Sequence, residues 1–551
     1  MNAAPGPDTT IGQSVASAPE GMPTDRRHPL GRLAARLTAA ARSLRAKRSW
    51  PAALGGGVLL YAAFPPIGLW WLAPAGPALL ALAVRGRRKR AAFACGTLFG
   101  LAFFGPLLVW LANLTPAAWL GLTAAESVLL GLLALPLPRL LSMRGWPVFF
   151  AAWWVATEAV RGRAPLGGFP WGRLAFSQAD APYAVWAAVG GSPLLSFATA
   201  LLGSLAAWLV AVGRSRGYRR VAPVGAAMAA IIAVPPLLSL TPRTEGAAVV
   251  AVVQGNVPRT RSLEEQARVV DVAENHARET AELAAAVRRG ELPRPDLVLW
   301  PENSLDSDPN RDPELRSLVS GAAAALDRPL LIGAILRDDQ GRTFNAGQVW
   351  LPGIGPTQSY AKRQLVPFGE YIPLRGLLGG LGELQLIPRD FTPGSAQAPL
   401  TAGPARIGDV ICYEVGYDAL VRDAVRGGAN LLVVQTNNAT YERGLRAGQS
   451  TQQVAMARVR AIEYGRSVAV ASTTGVSAVI GPDGRVAASA GTWRSAHLVR
   501  RVPLISGSTP AARLGVLPEA SLTALAIAGV GWSFLRRRRA QPEFRAVSTG
   551  R

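Results

Sequence analysis

Three residue types that together could carry out acyl transfer stand at the ends of strand-like runs in the second half of this chain. Cys412 directly follows the apolar run 406–411, within the sequence Ile411, Cys412, Tyr413, Glu414. Upstream, the run 297–300 leads into Pro301 and Glu302, and the stretch 360–371 carries Lys362 and Glu370. A free thiol has a pKa near 8.5 and is mostly protonated at neutral pH, so it needs a base before it can attack. A carboxylate within hydrogen-bond reach supplies one. An ammonium group can meet the negative charge that grows on a carbonyl oxygen under attack. Glutamate, lysine and cysteine together point to acyl transfer through a thioester, although singly each has a plainer reading: a solvated loop carboxylate, one of 58 basic residues, or a buried small hydrophobe.

The elements that must position these residues divide in two. Half of the 551 residues are hydrophobic and only 17% are charged, and the apolar ones are concentrated between about 51 and 240. That half is a series of Ala, Leu, Val and Trp runs broken by short basic or Pro/Gly turns, whereas 246–505 has the texture of a globular domain. About 20 apolar residues cross a bilayer. On that rule the spans fall at 50–66, 68–84, 91–113, 117–138, 146–161, 183–212 and 222–240, with an eighth at 516–535. Basic clusters at 85–90, at Arg139 and Arg144, at 214–220 and at 536–539 follow every even-numbered span. Lys and Arg concentrate in cytoplasmic loops, so both termini are expected inside and the globular domain outside.

The formal charge of +23 is accounted for by these clusters and the tails, so no nucleic-acid partner is expected. Residues 1–49 read as a disordered, basic cytoplasmic tail, too long and polar for a cleavable signal peptide, and 537–551 as a second basic tail. Cys95 and Cys412 offer neither a disulfide framework nor zinc spacing, and no metal or cofactor is expected. Glu126 and Glu158 lie within apolar segments, where a carboxylate is either functional or paired. Arg161 and Arg163 flank the aromatic loop 167–172, which is either a site for a lipid headgroup or an interfacial turn.

Within the globular half, strand signals at 247–254, 296–300, 329–335, 345–351, 406–412, 430–435, 467–472 and 476–481 alternate with helical ones at 262–289, 312–326, 416–426 and 447–464. Such alternation predicts an α/β layered domain with its site where strands end. The Gly- and Leu-rich run 373–391 is either a membrane-dipping lid or a packed insertion.

Trp300, Pro301 and Glu302, then 362–373, then 411–414, in that order, resemble the nitrilase (carbon-nitrogen hydrolase) superfamily. With a membrane bundle before and one helix after, residues 50–536 resemble the apolipoprotein N-acyltransferase family, including 168–171 and 254–256. The resemblance implies an αββα sandwich at 246–505, outside the bacterial cytoplasmic membrane, on a seven-helix bundle at 50–240 and followed by a last helix at 514–536. It implies a triad of Glu302 as base, Lys362 as cation and Cys412 as nucleophile. Glu370 and Glu414 would be supporting carboxylates, and Tyr413 would shape the pocket and lend its N–H to the oxyanion. The substrates implied are a phospholipid acyl donor and the α-amine of a diacylglyceryl apolipoprotein. One departure is the run Asn437, Asn438, Ala439, Thr440, where the family usually ends in tryptophan. A membrane-anchored amidase and a non-catalytic membrane scaffold are the rival readings.

Overall fold

The computed structural model describes residues 49–212, 218–240, 242–258, 265–378, 390–395, 398–444 and 448–539. The expected N-terminal tail, most of the basic cluster at 214–220, most of the candidate lid and the end of the C-terminal tail lie outside these residues.

The apolar half is helical. α1 covers 49–62, α2 Ala75–Val84, α3 Lys89–Leu107, α4 Pro116–Ala134, α5 Leu137–Leu140, α6 Trp146–Arg161, α7 Trp186–Val212 and α8 Tyr218–Ala233. Local chemistry sets several of these ends. Thr115 caps α4 by accepting from the Ala118 N–H, and Pro116 occupies the first turn, where no N–H partner is needed. In α7 the helix breaks at Gly190 and Gly191, the latter at φ 74°. α3 and α4 pack closely because their contact is built from small residues. A Cβ on Gly100 would lie 2.6 Å from the Ser127 Cα. Among the described residues, three helical stretches are long and apolar enough to cross a membrane: Lys89–Leu107, Pro116–Leu140 and Trp186–Ala211. Trp70–Val84 and Val221–Leu237 are shorter apolar helices.

The globular half is built from two six-stranded sheets. β1 (Thr244–Gln254), β2 (Leu297–Leu299), β3 (Leu330–Arg337), β4 (Thr343–Leu351) and β5 (Gly355–Ala361) form one sheet with β12 (Ala496–Ile505), in the order β12-β1-β2-β3-β4-β5. β6 (Leu400–Ala402), β7 (Ala405–Ile411), β8 (Leu431–Thr436), β9 (Val468–Ser472), β10 (Ser477–Ile480) and β11 (Val486–Ala490) form the other, in the order β11-β10-β9-β8-β7-β6. Its helices are α9 (Glu265–Arg288), α10 (Pro313–Leu326), α11 (Arg375–Leu378), α12 (Asp418–Arg426), α13 (Gln449–Tyr464) and α14 (Pro510–Leu514), and α15 (Leu517–Arg539) closes the chain.

Alternation along the strands decides which face meets which layer. Val250 and Val252 of β1 pack with Ile407 of β7 and Val433 of β8 between the two sheets. Ala251 and Val253 face the other way, against α9 and α10. On the second sheet, Val410, Leu432 and Val434 turn outward into a core shared with α12, α13 and the aromatic residues of α3 and α6. The globular half therefore stacks helix, sheet, sheet and helix, the expected αββα order, and its last layer runs without a break into the helical half.

The eight expected spans each correspond to a helical stretch, with α6 matching 146–161 and the last helix running from Leu517 to Arg539. The expected strand 406–412 stops one residue short. Cys412 leaves it at φ 53° and opens a 3-10 turn, Cys412–Gly416.

Candidate active site

Left-handed backbone is uncommon for a residue with a side chain and carries strain, so its presence at Cys412 is a local cost that the surroundings must hold in place. Glu414 provides much of the hold. Its side chain is fully buried and accepts from four donors: the N–H groups of Ile411 (2.8 Å), Arg363 (2.7 Å) and Gln364 (3.1 Å), and the Tyr360 hydroxyl (3.0 Å). One carboxylate thus ties the residue before the cysteine to the loop that follows Lys362. Its hydrogen bonds go to this scaffold.

Lys362 leaves the end of β5 and is 2% exposed. Its Nζ donates to Oε1 of Glu302 and to Oε1 of Glu370, both at 2.9 Å. Asn345 Nδ2 donates to the same two oxygens, at 2.7 and 2.8 Å. Glu302 has its second oxygen on the Asn437 N–H at 2.9 Å, and Glu370 has its own on the Val366 N–H at 2.8 Å. Burial pulls the Lys362 pKa down, but the Glu302 and Glu370 carboxylates outweigh it and leave the pKa well above the ordinary value. The side chain stays an ammonium.

Burial pushes the Cys412 thiol up to about 12, the Glu302 charge adds to the effect, and Lys362 with hydrogen bonds from Thr436 and Gln453 opposes it. At neutral pH the group is therefore held as a thiol, so the proton must leave as the sulfur attacks. Gln453, on α13, donates to Sγ at 3.4 Å while its own oxygen accepts from Thr436 (3.0 Å) and Asn438 (2.7 Å). Tyr413 lies in the first turn of the 3-10 segment, where backbone amides lack an intrahelical partner.

The aromatic loop 167–172 packs on this turn. The hydroxyls of Tyr413 and Tyr417 both donate to the Gly168 carbonyl at 2.9 Å, and the Tyr413 ring stacks with Phe169 and Trp171. Gly168 sits at φ 82°, and a Cβ there would lie 2.2 Å from the Arg163 nitrogen. Trp171 Nε1 donates to Gln452 at 2.7 Å, next to Gln453. Arg161 is no lipid contact. Its guanidinium is buried, donates to Glu126 at 2.5 Å and to the Trp171 carbonyl at 2.7 Å, and lies over the Phe104 ring. Glu158 accepts from the Leu174 N–H and from Trp154, so both carboxylates within apolar helices are paired. Beyond the departure at Thr440, the Tyr441 ring meets Trp110 at 5.1 Å, and Asn113 donates to the Tyr441 carbonyl at 2.9 Å.

Comparison with known proteins identifies the family. A family model of the apolipoprotein N-acyltransferase N-terminal domain matches residues 56–205, and one of carbon-nitrogen hydrolase matches 249–506. An apolipoprotein N-acyltransferase of Mycolicibacterium smegmatis is 38% identical over 504 residues, which cover 87% of this chain and 83% of that one. The chain belongs to the apolipoprotein N-acyltransferase family. A second apolipoprotein N-acyltransferase, from Azotobacter vinelandii, is 33% identical over 525 residues, covering 89% of this chain and 96% of its own. Among solved structures, an amidase of the nitrilase superfamily from Nesterenkonia matches 48% of this chain and 93% of its own, at 20% identity and a TM-score of 0.34.

In this member of the apolipoprotein N-acyltransferase family, the expected Glu302, Lys362 and Glu370 share one hydrogen-bonded cluster, and Glu302 and Lys362 act electrostatically on Cys412. Tyr413 and Glu414 serve the turn that carries the cysteine. Sequence reasoning missed Asn345, Gln453 and the Asn437 amide. Partial signals were present: a polar residue at the start of an apolar strand, and three glutamines, Gln449, Gln452 and Gln453, at helical spacing.

Proposed function

We propose that this protein transfers a fatty acyl chain from a phospholipid, through a thioester on Cys412, to the α-amine of a diacylglyceryl apolipoprotein. The observation that carries the reading is the Glu302, Lys362 and Glu370 cluster beside a strained Cys412, in a chain whose named relatives are apolipoprotein N-acyltransferases.

In the first half-reaction Glu302 removes the thiol proton as Sγ bonds to the ester carbonyl carbon. Negative charge moves to the carbonyl oxygen, where Lys362 Nζ and the Tyr413 N–H can meet it. One such donor contributes about 3 to 4 kcal/mol to the barrier in other acyl-transfer sites. The C–O bond then breaks, Glu302 returns the proton to the departing oxygen, and a lysophospholipid leaves. In the second half the neutral amine attacks the thioester carbonyl and Glu302 takes its proton. The C–S bond breaks, and the proton returns to sulfur as the amide forms. Glu370 keeps Lys362 charged through both halves, and no step calls for a metal or soluble cofactor.

Both substrates carry lipid chains, which suits a site built against a membrane bundle. The basic clusters that follow every even-numbered expected span support a topology with both termini cytoplasmic and the sandwich outside the cytoplasmic membrane. Incubation of the purified protein with phospholipid followed by mass spectrometry tests the mechanism. The peptide holding Cys412 should gain an acyl mass that hydroxylamine removes, and Cys412→Ala should lose both the adduct and N-acylation of a diacylglyceryl peptide. An alanine variant that still acylates the peptide overturns the thioester route. Free fatty acid in place of amide would identify an amidase-type hydrolase.

A further inference from the structure

At the end of the helical half remote from Cys412 lies a groove of about 730 Å³ whose charge is one-sided. Arg87, Arg88 and Lys89 enter it from the start of α3, Arg139 from α5, and Ser533 from α15. No carboxylate is among the described residues that line it. The helix start of α3 has no side-chain cap, so its backbone N–H groups add to the positive field. Arg139 supplies an independent observation. Its guanidinium lies 4.2 Å from the Phe534 ring centroid, and its Nη1 is shut off from solvent with no hydrogen-bond partner. That guanidinium charge stands on the groove's wall beside the three cations at the start of α3, so an anion in the groove would meet all four.

Position and surroundings select the acceptor. Gln452, one residue from the Gln453 that holds Cys412 Sγ, donates to the Leu107 carbonyl at the far end of α3. The 19-residue helix rises about 27 Å between Lys89 and Leu107, close to the thickness of a bilayer's hydrocarbon core. The groove therefore stands at the opposite membrane surface, too distant to hold the acyl donor during reaction. Leu135 and Met143 form an apolar wall, and Leu132, Phe534 and Leu535 are exposed close by, so chains could lie beside the cationic pocket.

We propose that this groove binds the headgroup of an anionic phospholipid in the cytoplasmic leaflet, as a site separate from the acyl-transfer centre. The proposal rests on the topology given above, which can fail on its own: an Arg88→Cys variant in a Cys412→Ala background, labelled by an impermeant thiol reagent from outside intact cells, would place this end outward.

Native mass spectrometry of the full chain, titrated with phosphatidylglycerol or phosphatidylcholine, tests the site itself. One saturable phosphatidylglycerol should be retained, roughly tenfold or more in preference to phosphatidylcholine, and Arg139→Gln should remove the preference. Arg88→Gln with Lys89→Gln, at two exposed positions, should weaken it in a chain whose fold is undisturbed. Inorganic phosphate should not displace the lipid. Equal retention of the two lipids, retention unchanged in both variants, or full displacement by phosphate would each overturn the assignment. Because retention is read rather than turnover, failure of the acyl-transfer mechanism leaves the result interpretable.

Discussion

Replacing Glu414 by glutamine tests whether the turn that carries Cys412 is held by a carboxylate. The amide keeps the size of the side chain and one acceptor oxygen. Its NH₂ group must then face either the Ile411 N–H, now 2.8 Å from one oxygen, or the paired Arg363 and Gln364 amides on the other. The first arrangement is less costly and sets one donor against another, at about 1 to 3 kcal/mol for a buried amide left without a partner. The remaining bonds lose their charge assistance, which roughly halves each. Burial pushes the Glu414 carboxyl up, so removing the charge returns part of this and leaves a net loss of stability of about 2 kcal/mol. Catalysis should suffer more than stability. If Ile411 shifts, Cys412 shifts with it, and misplacing a reacting atom by about 1 Å costs about 100-fold, or about 2.7 kcal/mol of barrier. Acyl-enzyme formation from a labelled phospholipid should therefore slow about 100-fold in kcat with little change in KM, beside a modest fall in Tm. A variant that acylates Cys412 at close to the wild-type rate would refute the argument.

Three other outcomes are expected. Lys362→Met leaves the facing oxygens of Glu302 and Glu370 with only Asn345 as a shared donor; N-acylation should be lost and stability should fall by about 3 to 5 kcal/mol, as read by Tm. Gln453→Leu removes a hydrogen bond that lowers the Cys412 pKa, so the pH profile of thiol alkylation should move to higher pH. His276 is fully buried beside Trp300, and burial lowers its pKa to about 4 from 6.5. The unfolded chain therefore binds the extra proton between those values, and about 3 kcal/mol of stability should be lost as pH falls through that window. His276→Gln should flatten the dependence of Tm on pH over the same range.

Much of the site was legible because strand ends are marked in sequence. Pro301 stops the ladder before Glu302, and the apolar run before Cys412 ends where the polar residues begin. What escaped is of two kinds. Edge strands gave weak signals: β5 reads Gly, Pro, Thr, Gln, Ser, Tyr, Ala with mostly exposed or half-buried side chains, and β12 contains Pro503 and two arginines, tolerable in a strand with one neighbour. The other kind is partnership across layers. Helical spacing located α13, but nothing in it tells that Gln452 faces Trp171 and Gln453 faces the thiol, because both partners come from distant segments. The same limit left Glu126 and Glu158 undecided until Arg161, Trp154 and the Leu174 amide were seen beside them.

Those cross-layer partners explain how a catalytic turn and a membrane bundle become one structure. A short 3-10 segment leaves its last carbonyls without internal partners. Arg460 of α13 supplies them, donating to the Val415 and Gly416 carbonyls at 2.9 and 3.0 Å. Its charge is balanced by Asp418 at 2.7 Å and Glu463 at 2.6 Å. Each of these reaches into the helical half. Arg173, from the segment between α6 and α7, donates to both Asp418 oxygens at 2.8 and 2.9 Å, and Ser192, just past the break in α7, donates to Glu463 at 2.9 Å. Burial alone would raise the Asp418 carboxyl, yet Arg173 and Arg460 hold it well below the usual range, so Asp418 stays ionised. A sandwich merely tethered to helices would need none of these bonds. The backbone that follows Cys412 is gripped by an arginine whose counter-ions are bonded in turn to α7 and to the segment between α6 and α7, so the catalytic turn and the bundle share one hydrogen-bonded network.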